Sequence, residues 1–454
     1  MSTKSPNPRE VAIDVLTAVR EEEAFANLAL PKALARSGLD QRDKGLVTEL
    51  VYGSLRASGE LDVVLRACIS GRWDKVDAHV LDILRLGVYQ VLHLRVPNHA
   101  AVDQSVRLAK GKGLFKAVGF INAVMRAVTA QEISHWESVI AADTGGSVSH
   151  PTWIVSEIEQ ALSQCGGESE LADALTAHNE PPRVTYVHLP GFSTPRDDEE
   201  CTELSPLGSY APAGNPGEDP RLVSGHLRVQ DEGSQLAALL LSRASPLRAG
   251  ERLLDMCAGP GGKTAVLAAE ALASGASVAA WEIQPHRAAL VSQSVAAISN
   301  LDPESVSVSV VNAISPSLGK ELFDRVLLDA PCSGLGALRR RPEARWRKKH
   351  SDLVGLVETQ TQLLNSAVTL TKPGGIVAYV TCSPVTRETT DIVRAALAHH
   401  SNVEAIDTPR VLEGIVGRAV PGARRGSGVQ LWTHRHGTDA MFIQLLRVNE
   451  SSPR

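Results

Sequence analysis

Two cysteines and a glycine-rich turn hold most of the chemistry this sequence can perform. Cys332 lies in Asp329-Ala330-Pro331-Cys332-Ser333-Gly334, and Cys382 in Thr381-Cys382-Ser383-Pro384; each is followed by serine and lies near a proline. A single cysteine in a sheet protein is usually a small buried hydrophobe. Two of them at neighbouring strand ends, beside a nucleotide-type pocket, weaken that reading. A thiolate adds readily to an electron-poor ring carbon. Cytosine C5 is a poor nucleophile, but a thiolate bonded to C6 makes C5 enamine-like and able to accept a methyl group. The C5 proton must then leave and the sulfur be expelled. Such a cycle needs one activated thiol and a second group that assists release.

The elements that would position these cysteines begin at Leu253-Leu254-Asp255-Met256-Cys257-Ala258-Gly259-Pro260-Gly261-Gly262-Lys263-Thr264. An apolar pair, an acid, a glycine-rich turn and a helical run from Ala265 to Ala273 read as strand, loop and helix. Backbone N–H groups and a helix N-terminus then face a ligand. A triphosphate loop is disfavoured, because Cys257 stands where its first glycine belongs. Further strands are predicted at 278–282, 306–311, 323–328 and 376–380, with a helix over 352–370. Strands alternating with helices imply a parallel sheet whose ligands bind at the carboxyl ends. Glu282, Asn312, Asp329, Cys332 and Cys382 all fall at that edge. Glu282, about 20 residues past the loop, is where a ribose-binding carboxylate sits in such folds.

The rest of the chain reads differently. Its 454 residues suggest two to four domains. Residues 7–130 show helical stripes, such as Val11, Val15 and Val19, then Leu46, Val47, Leu50 and Val51, then Val80, Leu84, Val88 and Val91. Asp40 can cap the second stripe, and Pro97 is placed to close the third. Residues 141–149 are small and polar, as at a domain boundary, and 180–229 are proline-rich with short apolar stretches. The expected fold is therefore multidomain: an all-α domain over 1–140, a small α+β connecting domain over 141–221, and a Rossmann-like α/β domain over 222–450. No apolar run reaches membrane-spanning length and the start has no hydrophobic signal region, so no membrane is expected. Six cysteines without a C-x-x-C pair fit a reducing cytoplasm and suggest no metal; His434 and His436 read as turn residues. A formal net charge of −5 excludes a globally basic nucleic-acid binder, leaving local patches. Leu338 to His350 is one, with seven Lys/Arg against one acid. Arg339, Arg340, Arg341, Arg345 and Trp346 are its candidate RNA-binding residues, by phosphate contact and base stacking.

These motifs resemble a known family. The glycine-rich turn, Asp329 to Gly336, Thr381 to Pro384, Gln230-Asp231-Glu232-Gly233-Ser234-Gln235, Arg341-Pro342-Glu343-Ala344-Arg345-Trp346 and His436-Gly437-Thr438-Asp439 are similar to the bacterial Sun/Fmu (RsmB-type) RNA cytosine-5 methyltransferases. The N-terminal phrases Glu49-Leu50-Val51-Tyr52-Gly53, Leu86-Gly87-Val88-Tyr89-Gln90 and Gly119-Phe120-Ile121-Asn122-Ala123 resemble the NusB-like RNA-binding domain. The resemblance implies S-adenosyl-L-methionine as cofactor and small-subunit rRNA as substrate, naked or in a partly assembled particle. It implies a monomeric enzyme with no DNA partner. It further implies Cys382 as nucleophile and Cys332 as the residue aiding release. Cofactor contacts would come from Cys257, Ala258, Gly259, Pro260, Gly261, Gly262, Lys263, Glu282, Asn312 and Asp329. The chain departs from the family pattern at Gly259, where Ala is usual, at Glu282, where Asp is common, and at Asn312, which replaces Asp; the Asn312 oxygen is still able to accept from an adenine amine. A transfer-RNA target on the same chemistry is the alternative among enzymes. A non-catalytic RNA-binding ribosome assembly factor is the alternative outside them.

Overall fold

The computed structural model describes residues 7–22, 24–143, 148–212, 217, 219–316 and 322–450, in two compact units. The first comprises Met1–Val155, His178–Glu180 and Leu338–Arg347; the second comprises Ser156–Ala177, Pro181–Ala337 and Lys348–Arg454.

The helical unit is built from short helices with side-chain caps. Asn7 accepts from Arg9 N ahead of Pro8–Glu21, Asp40 from Asp43 N ahead of Gln41–Arg56, and Asp77 from His79 N ahead of Ala78–Leu92. Each cap satisfies an amide that the first helical turn leaves without a partner. The predicted stripes point inward: Val15, Val47, Leu50, Leu84 and Val88 join Ile121 and Met125 in one core. Pro97 does not end the third stripe's helix. That helix stops at Leu92, and Pro97 instead precedes Asn98–Gly111.

The second unit contains two sheets. The strands, in chain order, are β1 (Thr185–His188), β2 (Gly208–Tyr210), β3 (Leu227–Val229), β4 (Arg252–Asp255), β5 (Ser277–Glu282), β6 (Val306–Val310), β7 (Phe323–Asp329), β8 (Thr371–Thr381), β9 (Val403–Ala405), β10 (Arg424–Arg425), β11 (Gly428–Gln430) and β12 (Phe442–Val448). The small sheet runs β2-β1-β3 and the large one β10-β11-β12-β8-β7-β4-β5-β6, with β9 on β12. Strands β4 to β8 are parallel, as the alternation with helices predicts. Strand β12 adds to β8 antiparallel, an extension the sequence pattern did not announce.

The segment expected as a connecting domain forms no compact unit of its own. Val187, Leu189 and Leu204 share a core with Leu236, Leu239 and Leu240 of helix Glu232–Ser242. Polar ties reinforce this: Gln235 Nε2 donates to Tyr186 O at 3.1 Å, and Glu232 accepts from Leu204 N and Ser205 N. The Arg435 guanidinium likewise pairs with Glu170. Among the described residues, no helix is long and apolar enough to cross a membrane.

Candidate active site

The site is assembled at the carboxyl edge of the parallel strands. Strands β7 and β8 are neighbours, with Asp329 opposite Val380 and Ala330 N donating to Val380 O at 2.9 Å. That register carries the loops beyond them to one place. Cys332 Sγ lies 3.3 Å from Cys382 Sγ. Gly336 N donates to Cys382 O at 2.9 Å, while Gly336 O accepts from Ala440 N at 2.8 Å. A Cβ at 336 would stand 1.9 Å from Ala440 O, so only glycine allows this backbone approach.

Beneath both cysteines lies a residue that sequence reasoning missed. Glu388 is fully buried and accepts from Ser333 N at 2.7 Å and Gln360 Nε2 at 3.1 Å through Oε1. Through Oε2 it accepts from Ser333 Oγ at 2.5 Å and Ser383 Oγ at 2.6 Å. One carboxylate therefore fastens the residue after each cysteine. Arg425 supports the same loop from outside, donating to Pro384 O and Thr386 Oγ1. Nothing in the spacing from Cys382 to Glu388 signals this role.

Charge is arranged around the pair. Lys263, from the start of helix Gly262–Ser274, donates to Asp329 Oδ2 at 2.7 Å. Burial alone would lower the Lys263 pKa, but Asp329, Cys382 and Asp255 together raise it, so the site keeps its cation. The hydrogen bond with Cys382, and then burial, lift the Cys332 pKa well above the usual thiol range. Burial pushes Asp255 up to about 7, against the hydrogen bond it accepts from Thr264 Oγ1. Burial likewise holds Cys257 as a neutral thiol.

The predicted cofactor residues form one wall. Ala258 N donates to Trp281 O at 2.9 Å, and Ser294 Oγ holds Pro260 O at 2.9 Å. Glu282, buried at the end of β5, accepts from Gly259 N at 3.1 Å and Gln284 N at 3.0 Å. Arg287, unremarked in the sequence, lies 3.4 Å from the Glu282 carboxylate and donates to Gly259 O. Asn312 is exposed beyond β6, and its Oδ1 accepts from Ile314 N at 3.1 Å. The oxygen expected to meet an adenine amine is thus also engaged in a local turn. Gln230, just after β3, is buried with both amide atoms unpartnered, and a Cβ on Gly262 would lie 3.4 Å from its Cδ. Buried amides are nearly always satisfied, so this one marks a place for a polar ligand group beside the glycine-rich loop. Asp231 caps helix Glu232–Ser242 and accepts from Asp439 N, which ties the sequence motifs at 230–235 and 436–439 together.

The basic segment corrects an expectation. Leu338–Arg347 belongs to the helical unit. Arg345 is fully buried, donating to Ser149 O at 2.8 Å, Asn179 Oδ1 at 2.7 Å and His178 O at 3.1 Å. Burial lowers its pKa to about 10. Its Nη1 and Nη2 groups are engaged inside the protein and the whole side chain is buried, so it is no surface RNA contact. Arg339 is buried as well, Arg340 is half-buried, and only Arg341 and Trp346 are exposed. A charge run reports composition; which side chains turn inward depends on packing that the run does not encode.

Comparison with known proteins agrees with this geometry. The model of the family described as 16S rRNA methyltransferase RsmB/F matches residues 244–447, and that of the NusB family matches 6–130. A putative methyltransferase of Mycobacterium tuberculosis is 41% identical, over 97% of this chain and 96% of its own length. The ribosomal RNA small subunit methyltransferase B of Pseudomonas putida is 30% identical, over 97% of this chain and 98% of its own. The chain belongs to the RsmB/F methyltransferase family. The crystal structure of PH0851 shares the fold, with a TM-score of 0.77 at 20% identity, covering 97% of this chain and 98% of that one. As an RsmB/F member, the chain uses S-adenosylmethionine as methyl donor. The glycine-rich loop, Glu282 and the orphaned Gln230 amide fit that cofactor.

Two departures from the family pattern meet in space. A Cβ on Gly259 would come within 2.3 Å of Glu282 Oε2. A side chain at 259 would therefore compete for space with the Glu282 carboxylate and with Arg287 Nε, 2.8 Å away, and a shorter acid at 282 would relieve the first of these. Glu282→Ala is expected to weaken S-adenosylmethionine binding by about 1.5–3 kcal/mol, as for a lost hydrogen bond to a charged group. Gly259→Ala alone is expected to weaken it comparably, and Gly259→Ala with Glu282→Asp to recover most of the loss. Isothermal titration decides: a double variant no tighter than Gly259→Ala alone would separate the two positions.

Proposed function

We propose that this chain is an RNA (cytosine-5)-methyltransferase acting on small-subunit (16S) rRNA, through a covalent bond between Cys382 and cytosine C6. The pair of sulfurs 3.3 Å apart carries the reading. Methylation of a ring nitrogen or an exocyclic amine has no use for a thiol, whereas C5 methylation depends on one. Cys382 Sγ adds to C6, and the electron pair of the C5=C6 bond moves to C5. The Lys263 cation favours the charged sulfur. S-adenosylmethionine supplies the methyl group to C5. The C5 proton then passes to solvent water, the C5–H electrons restore C5=C6, and the C6–S pair returns to Cys382. Cys332 keeps its own proton and hydrogen-bonds the departing sulfur, which suits it to assist release and not to attack.

The Pseudomonas putida relative named ribosomal RNA small subunit methyltransferase B supports rRNA over transfer RNA. Bisulfite sequencing of both RNAs from a deletion strain tests the substrate. A 16S cytosine losing its protection is the expected result. A change confined to transfer RNA would move the target, and no change in either would overturn the reading.

A further inference from the structure

A cavity of about 350 Å³ in the helical unit takes no part in this chemistry. Leu16, Val19 and Leu55 give it apolar walls, and Trp346, 43% exposed, lines it as well. Its charges largely cancel. Arg85 clasps Asp62 at 2.7 and 2.9 Å, and Arg20 Nε donates to Asp82 at 2.8 Å. Arg347 spends one nitrogen on Val19 O and Ala24 O. After this pairing three buried polar atoms have no partner: Arg20 Nη2, Ser54 Oγ and Glu343 Oε2. Ser54 and Glu343 are each 3% exposed, and Glu343 Oε1 is already taken by Ala26 N at 3.1 Å.

A guanidinium donor, a carboxylate acceptor and a hydroxyl, set between aliphatic walls and an indole, match a flat heteroaromatic ring with adjacent donor and acceptor edges. The volume is at the small end for ligand sites, enough for one base. A phosphate fits poorly, because it would meet the unpaired Glu343 oxygen in a cavity without surplus positive charge. The geometry points to a docking site for a single unpaired nucleobase of the RNA, packed on Trp346 with an exocyclic amine donated to Glu343. This rests on the reading that the chain acts on RNA. It selects adenine, guanine or cytosine over uracil, which has no exocyclic amine.

Fluorescence anisotropy with the intact chain, using labelled oligo(A) and oligo(U), neither of which offers the active site a cytosine, tests the site separately from methyl transfer. Wild type is expected to prefer oligo(A) by about tenfold, as for one hydrogen bond to a charged group. Glu343→Gln keeps an acceptor for Ala26 N but removes the carboxylate, and is expected to erase that preference. Trp346→Ala is expected to weaken both oligonucleotides about tenfold, as for a lost base stack, with the salt slope unchanged because no phosphate contact is lost. Should Trp346→Ala also lower the melting temperature, Glu343→Gln alone carries the test. Equal affinity of wild type for the two oligonucleotides, or a preference that survives Glu343→Gln, would overturn the proposal and leave a water-filled cavity. The 16S bisulfite result stands whichever way this one falls.

Discussion

Cys332→Ala is expected to accumulate a covalent protein–RNA complex that Cys382→Ala never forms. Both variants lose turnover, on the order of 10⁴-fold or more for the nucleophile. They lose it at different steps. Without Cys382 no bond to C6 forms, so nothing is trapped. Without Cys332 the attack and methyl transfer proceed, but the C6–S bond persists because the partner that hydrogen-bonds the departing sulfur at 3.3 Å is gone. Denaturing gels with radiolabelled RNA read this directly, as a shifted band that RNase removes. The reverse pattern, adduct from Cys382→Ala alone, would exchange the two roles. Full activity in both variants would remove both cysteines from the chemistry and with them the C5 assignment.

The sequence made the parallel core and its ligand edge legible because those depend on local patterns. Apolar runs ending in Asp255, Glu282 and Asp329 became β4, β5 and β7, and glycine-rich 259–262 became the turn before helix Gly262–Ser274. What stayed hidden depends on contacts between distant segments. Strand β12 pairs with β8 across sixty intervening residues, and its own pattern does not specify that partner. Residues 141–221 read as a separate connecting domain in composition, yet Val187 and Leu204 share the core of helix Glu232–Ser242. Arg345 looks like a surface cation until its three internal acceptors are seen. Glu388 is hidden for the same reason: its meaning lies in Ser333, 55 residues earlier.

Glu388 yields the second large effect. Glu388→Ala removes the acceptor shared by four buried donors, Ser333 N, Ser333 Oγ, Ser383 Oγ and Gln360 Nε2, and leaves the weaker Ser333 Oγ–Ser383 Oγ contact of 3.1 Å as a direct link between the loops. Both cysteine loops then lose the tie that sets their spacing, and misplacement by about 1 Å costs about 10²-fold in rate. A fall in kcat of that size is expected, with the dissociation constant for S-adenosylmethionine unchanged, because the Glu388 carboxylate is engaged by Ser333, Ser383 and Gln360, whereas the cofactor wall is built from 257–263 and 282. Glu388→Gln separates geometry from charge. Its amide can face the two serine hydroxyls, which rotate to accept, while its oxygen keeps Ser333 N and Gln360. Most of the rate should therefore return. The pH profile should not, because Glu388 is one of the charges that raise the Cys332 pKa, and its neutralisation brings the alkaline limb to lower pH. Rescue of kcat by Gln with that limb displaced marks a positioning residue acting through both cysteines. An Ala variant with wild-type kcat would remove Glu388 from the machinery, and a Gln variant with an unmoved alkaline limb would leave it a purely structural anchor.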